Sequence, residues 1–155
     1  MDVRRLLMRR FQIQPGVGVG PVKLGMTRQE VHDAFGEPES SYDEREGFLG
    51  GFFVDFDRTG RVEFIELANS VQFEALFEGK CLHQIPANEA VRLVSRFDKH
   101  DETNREIGYS YIFLDLQLSL WRGTMPQQDQ EDDDNDGRFF EAVGVAIPGY
   151  FEVGK

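Results

Sequence analysis

Cysteine is almost absent from this sequence. One residue, Cys81, among 155 excludes an internal disulfide framework and a cysteine-rich zinc site. Basic charge is also scarce: 17 Lys and Arg stand against 28 Asp and Glu, a net of −11. Nucleic-acid binding rests on neutralising phosphates with cationic side chains, so this balance argues against it. No apolar run comes near the roughly 18 residues that a membrane-spanning helix requires. The opening MDVRRLLMRR has only Leu6, Leu7 and Met8 as an apolar stretch, short of the 7 or more residues, roughly, that a signal peptide needs. It reads as a basic tail folding back on an acidic body, and the expected compartment is the cytoplasm.

Apolar residues, in contrast, are plentiful at 40%. A chain of this length buries about 70% of its unfolded surface, so it folds as one domain, 1–155, without metal or disulfides. Helix signals are clearest at Met26–Gly36. Thr27 and Glu30 form a capping box, Met26 and Val31 a hydrophobic staple, and Gly36 with Pro38 stops the helix. Extended segments follow. Gly51–Phe56 and Arg61–Ile65 flank Asp57-Arg58-Thr59-Gly60, whose residue types suit a hairpin turn. Phe52, Val54 and Phe56 share one face, and Val62 and Phe64 another. Val71–Phe77 alternates as a third strand.

The pattern then recurs. Pro86 opens a second helix through Ala90, Leu93, Val94 and Phe97, and Tyr109–Leu114, Gln117–Arg122 and Arg138–Ala146 read as strands. An offset of about 59 residues superposes Thr27–Val31 on Pro86–Ala90 and Phe52–Val54 on Tyr111–Phe113. The expected fold class is therefore α+β. Tandem helix–β–β–β repeats, residues 22–77 and 81–147, form a curved antiparallel sheet with helices packed on one face. Phe11–Gln14 is an extra strand, and 125–137 an acidic, mobile loop that cannot join a core.

Leu24-Gly25-Met26-Thr27-Arg28-Gln29-Glu30-Val31, ending Phe35-Gly36-Glu37-Pro38, resembles the SmpA/OmlA (BamE) family, as does the hairpin Val54–Val62. The match covers about Lys23 to Leu67. In tandem form it is similar to the β-lactamase inhibitor protein family, in which two such units lay one curved sheet over helices. The resemblance implies a protein-binding module without catalysis. No lipobox cysteine accompanies it, since Cys81 is internal, so the envelope role of the lipoproteins is not carried over.

Chemistry motifs are weak. Asp132, Asp134, Asp136 and Gly137 have the spacing of half a calcium loop, but its twelfth position is Val143 where a bidentate Glu belongs. Gly16, Gly18 and Gly20 match no phosphate-binding fingerprint and read as a crossover into the helix. His32, His83 and His100 lack metal-ligand spacing. Cys81 and His83 would share a strand face, the one arrangement offering a nucleophile and its base. Neither a catalytic residue, a metal ligand nor a cofactor is assigned.

What remains is a surface. With helices on one face of an antiparallel sheet, the other is left open. Alternation sends Gln117, Ser119 and Trp121 outward, and Phe53 with Asp55. With Glu63, these six define a candidate protein-binding patch, since aromatics concentrate at interface hot spots. Its acidity favours a basic protein partner. The expectation is a non-enzymatic interaction module, an inhibitor or immunity-type protein being its most concrete form. A calcium-responsive acidic domain and a small hydrolase are the alternatives.

Overall fold

The computed structural model describes residues 8–152; the first seven residues of the basic stretch Met1–Arg10 lie outside the described residues. The described residues form a mixed α+β structure, mostly strands, with two helices and two sheets.

Helix α1 spans Arg28–Phe35. Thr27 caps it as expected: its Oγ1 accepts from Glu30 N at 3.2 Å, and Glu30 Oε1 accepts from Thr27 N at 3.2 Å. Two otherwise unmet N–H groups are thereby satisfied. Gly36 ends the helix at φ +82°, a conformation that costs glycine little. Helix α2 spans Ala87–Ser95 and buries Ala87, Ala90 and Val94, the inward stripe at helical spacing.

The larger sheet is antiparallel and runs from β10 (Ser110–Phe113) through β11 (Leu118–Trp121), β12 (Ala142–Ala146), β7 (Val62–Ala68), β6 (Phe52–Phe56) and β5 (Arg45–Phe48) to β4 (Ser40–Tyr42). Its inner face presents Phe48, Phe52, Val54, Ile65, Leu67, Leu118, Leu120, Val143 and Val145, all buried. The smaller sheet has the order β3 (Val22–Lys23), β2 (Gly18–Val19), β1 (Arg9–Gln14), β8 (Phe73–Phe77), β9 (Lys80–Cys81). One continuous hydrophobic cluster joins both sheets and both helices. Phe11 on β1 is its hinge point, with ring centroids 5.9 Å from Phe35, 5.8 Å from Phe52 and 5.8 Å from Phe73. Helices and smaller sheet thus cover the same face of the larger one.

Four expectations need correction. First, there are two sheets, because β8 leaves β6 and β7 and pairs in parallel with β1. The strand also starts at Phe73, leaving Val71 exposed. Alternation specifies a strand's buried side, not its neighbour. Second, Ser40–Phe48 contributes two strands. There, Glu46 points inward and is buried, so the expected polar-out pattern is broken. Third, Val62 and Phe64 face opposite ways. Asp55 pairs with Phe64 but Phe56 with Val62, so Glu63 is the extra residue of a β-bulge. Fourth, the offset that equates β6 with β10 does not join equivalent positions. β6 adjoins β7, whereas β10 is an edge strand separated from β12 by β11. Of Arg138–Ala146, only Ala142–Ala146 is strand. The Gly16–Gly20 segment contains the short strand β2, and Gly20 (φ +55°), in the turn that leads to β3, lies against the Phe11 ring.

Candidate protein-docking face

Because paired residues in adjacent strands point to the same side, the registers define the outer face of the larger sheet. One row runs Gly47, Phe53, Glu66, Gly144, Ser119, Ile112 from β5 to β10. A second runs Arg45, Asp55, Phe64, Ala146, and a third Ala68, Ala142, Trp121, Ser110. The sequence-derived Phe53 and Ser119 therefore lie on a single cross-strand row, three strand spacings or about 14 Å apart. Asp55 and Trp121 belong to the same face. Phe53, Asp55 and Ser119 are half-buried, and Trp121 is 44% exposed.

Aromatic rings flatten this surface by lying over glycines. A Cβ on Gly47 would meet Phe53 at 3.1 Å, and one on Gly144 would meet Phe64 at 2.7 Å. Across β5 and β6, Arg45 Nε and Nη2 donate to the two Asp55 oxygens at 2.6 and 3.0 Å, and Nη1 donates to Glu66 at 3.1 Å. Its guanidinium sits 5.4 Å from the centre of the Phe53 ring. The bonds to Asp55, aided by the attraction of Glu66, hold the Arg45 pKa above its ordinary value against the opposing pull of burial.

Two of the six expected residues take different places. Gln117 is not outward. It occupies the β10–β11 turn at φ +53° and is buried, because β11 begins one residue later. Its Nε2 donates to the Leu114 and Phe151 carbonyls at 2.7 and 3.2 Å, and its Oε1 accepts from Phe151 N at 2.7 Å. Gln117 thus anchors the C-terminal segment, which folds over one corner of the face. There Tyr150 stacks on Phe64 at 4.9 Å and 11°. Burial first, then Asp55 and Glu63, raises the Tyr150 pKa. The bulged Glu63 is half-buried and lines a shallow groove of about 800 Å³ with Tyr42, Arg45, Asp55, Asp57 and Arg58. Its carboxyl is raised by burial and by the neighbouring charges of Asp57 and Asp55. Asp57 itself is lowered by the Thr59 hydroxyl and the Arg61 N–H.

Alternation missed Arg45, Glu66 and Tyr150. Glu66 carries the signal of its period-2 spacing from Phe64, but Arg45 and Tyr150 carry none in the sequence.

The chemistry motifs are dispersed. Among the described residues, no three His, Cys, Asp or Glu side chains are grouped to hold a metal ion. Asp134 Oδ1 accepts from Asp136 N at 3.0 Å, and Arg138 donates to the Asp132 and Glu131 carbonyls at 3.1 and 2.9 Å. His83 Nε2 lies 2.8 Å from the Leu67 carbonyl, so its ring donates there. Burial pushes the Cys81 thiol up and the His83 imidazole down. Among the described residues, no helix is long and apolar enough to cross a membrane.

No protein family's sequence profile matches the chain, and no curated protein or solved structure resembles it closely enough to identify a relative.

Proposed function

We propose that the chain is a non-enzymatic protein-interaction module that grips a basic protein partner with the outer face of its larger sheet. The observation that carries this reading is the cross-strand platform itself. Trp121 is exposed and Phe53 half-buried on a face that neither helix nor the smaller sheet covers, next to a groove richer in carboxylates than in cations. Aromatics supply desolvated anchor area, and the acidic surround supplies steering and selectivity.

Strand order supports a duplicated origin in altered form. The meander β5–β6–β7 after α1 and the meander β10–β11–β12 after α2 meet at β7 and β12. Each unit would then be a helix and three strands, with β4 and β8 outside the repeat. An inhibitor or immunity-type protein occluding a basic enzyme is the most concrete form of this function.

The test is affinity capture from the cell of origin, with the wild type and the double variant Phe53→Ala/Trp121→Ala side by side. A basic partner is expected to be retained at low salt by the wild type, to be released as salt rises, and to be lost with the double variant. Capture indifferent to both salt and substitution refutes the proposal.

A further inference from the structure

We propose a second, separate site on the helix side of the molecule: a pocket for a small aromatic carboxylate, with Arg122 and Arg138 as its counter-cations. Trp121 points to the outer face, so Arg122, its neighbour on the chain, reaches the opposite side. There it meets a cavity of about 810 Å³ between α2 and the acidic loop. That volume lies in the range typical of small-molecule sites. Val91, Tyr111, Met125 and Phe139 supply apolar and aromatic walls, and both arginines line it.

The burial of Arg122 is the unusual feature. Arg122 is only 8% exposed. Its Nε donates to the Gly108 carbonyl at 2.8 Å and its Nη1 to the Gly137 carbonyl at 2.7 Å. Arg138, which is half-buried, donates to the Asp132 and Glu131 carbonyls. Elsewhere Arg10, Arg28 and Arg45 each pair with a carboxylate. Among the described residues, no ion pair joins Arg122 or Arg138 to one. Carbonyl dipoles satisfy hydrogen bonds without cancelling charge, and a buried guanidinium lacking a counter-ion is costly. In a chain of net charge −11, the buried guanidinium of Arg122 and the half-buried one of Arg138 converge on one largely apolar cavity and define an anion site.

Charge and shape narrow the ligand. Both guanidiniums have already committed donors to carbonyls, and Glu89 also lines the cavity, so a dianion such as a phosphomonoester is repelled. A single carboxylate on a flat apolar body fits the donors and the walls.

The experiment is calorimetric titration of the full chain with 2-naphthoate, and with its neutral isostere 2-naphthamide. Naphthoate is expected to bind at least about ten-fold more tightly, the scale of one charge-assisted contact. Arg138→Gln should weaken naphthoate toward the affinity of the amide, with the affinity of the amide itself unchanged. Val91→Trp or, if that variant fails to fold, Met125→Trp should fill the cavity and abolish binding of both compounds. Equal affinity for the two compounds overturns the proposal, as does the absence of saturable naphthoate binding. Tight binding that survives both Arg138→Gln and the cavity-filling variant overturns it as well.

Discussion

At the scale of single residues, His83 carries a pH dependence whose sign is fixed by its burial. The folded imidazole titrates below its ordinary value, with burial the largest cause and the bond to the Leu67 carbonyl opposing it. The unfolded chain takes up this proton near pH 6.5, whereas the folded chain resists until lower pH. The stability contributed by the neutral ring is therefore complete above that value and declines as pH falls toward the folded pKa. The slope cannot exceed about 1.4 kcal/mol per pH unit. Denaturant midpoints measured from neutral to mildly acid pH should fall in the wild type and fall less in His83→Gln. Parallel profiles would remove His83 as the cause. Cys81 sits in the same region with its thiol raised by burial, so alkylation by iodoacetamide at neutral pH should run slower than for a free thiol. Faster alkylation would revive the hydrolase reading. His100 is a third case. Its Nδ1 is buried without a hydrogen-bond partner among the described residues, while its ring packs edge-on against Tyr111 at 5.1 Å and Phe113 at 6.1 Å. An unmet buried polar atom costs about 1–3 kcal/mol. His100→Phe should therefore leave the unfolding free energy unchanged or raise it, and a clear loss would reveal a partner.

At the scale of elements, legibility follows how local the determining interaction is. The α1 cap was readable because Thr27 and Glu30 satisfy each other within one turn. Thr27→Ala should cost about 1 kcal/mol, read from the denaturation midpoint. The Asp57–Gly60 hairpin was readable for the same reason: Asp57 Oδ1 accepts from Thr59 N and Arg61 N at 2.8 and 3.1 Å. β5 was not, because its inward Glu46 depends on a helix 14 residues away. There Glu46 accepts from Arg28 at 2.9 Å and pairs with His32 at 2.8 Å. The bulge at Glu63 and the parallel docking of β8 on β1 are equally non-local, so periodicity alone could not find them. The same logic sorts the candidate site. Phe53, Asp55, Ser119 and Trp121 lie where uninterrupted alternation puts them. Gln117 and Glu63 depart because a strand end and a bulge intervene.

At the scale of the whole molecule, a docking face is useful only if its backing is rigid, and that backing is shared. Phe52 faces inward from β6, with ring centroids 5.8 Å from Phe11, 4.9 Å from Phe35 and 5.6 Å from Phe73. A single side chain therefore ties the larger sheet to the smaller sheet and to α1. Phe53, one residue along, points the other way into the platform. Were the sheets independent, loss of the smaller one would leave the platform's strands paired. With one core, removal of Phe52 loosens both layers together. Phe52→Ala should cost about 3–5 kcal/mol, the range for deleting a buried aromatic. Trp121, the single tryptophan, reports on the larger sheet, and far-ultraviolet circular dichroism on the whole chain. In both wild type and variant the two signals should trace one coincident transition. Separation of the curves, with the tryptophan signal persisting after most secondary structure is lost, would mean that the larger sheet stands alone and that its outer face owes no rigidity to the layer beneath.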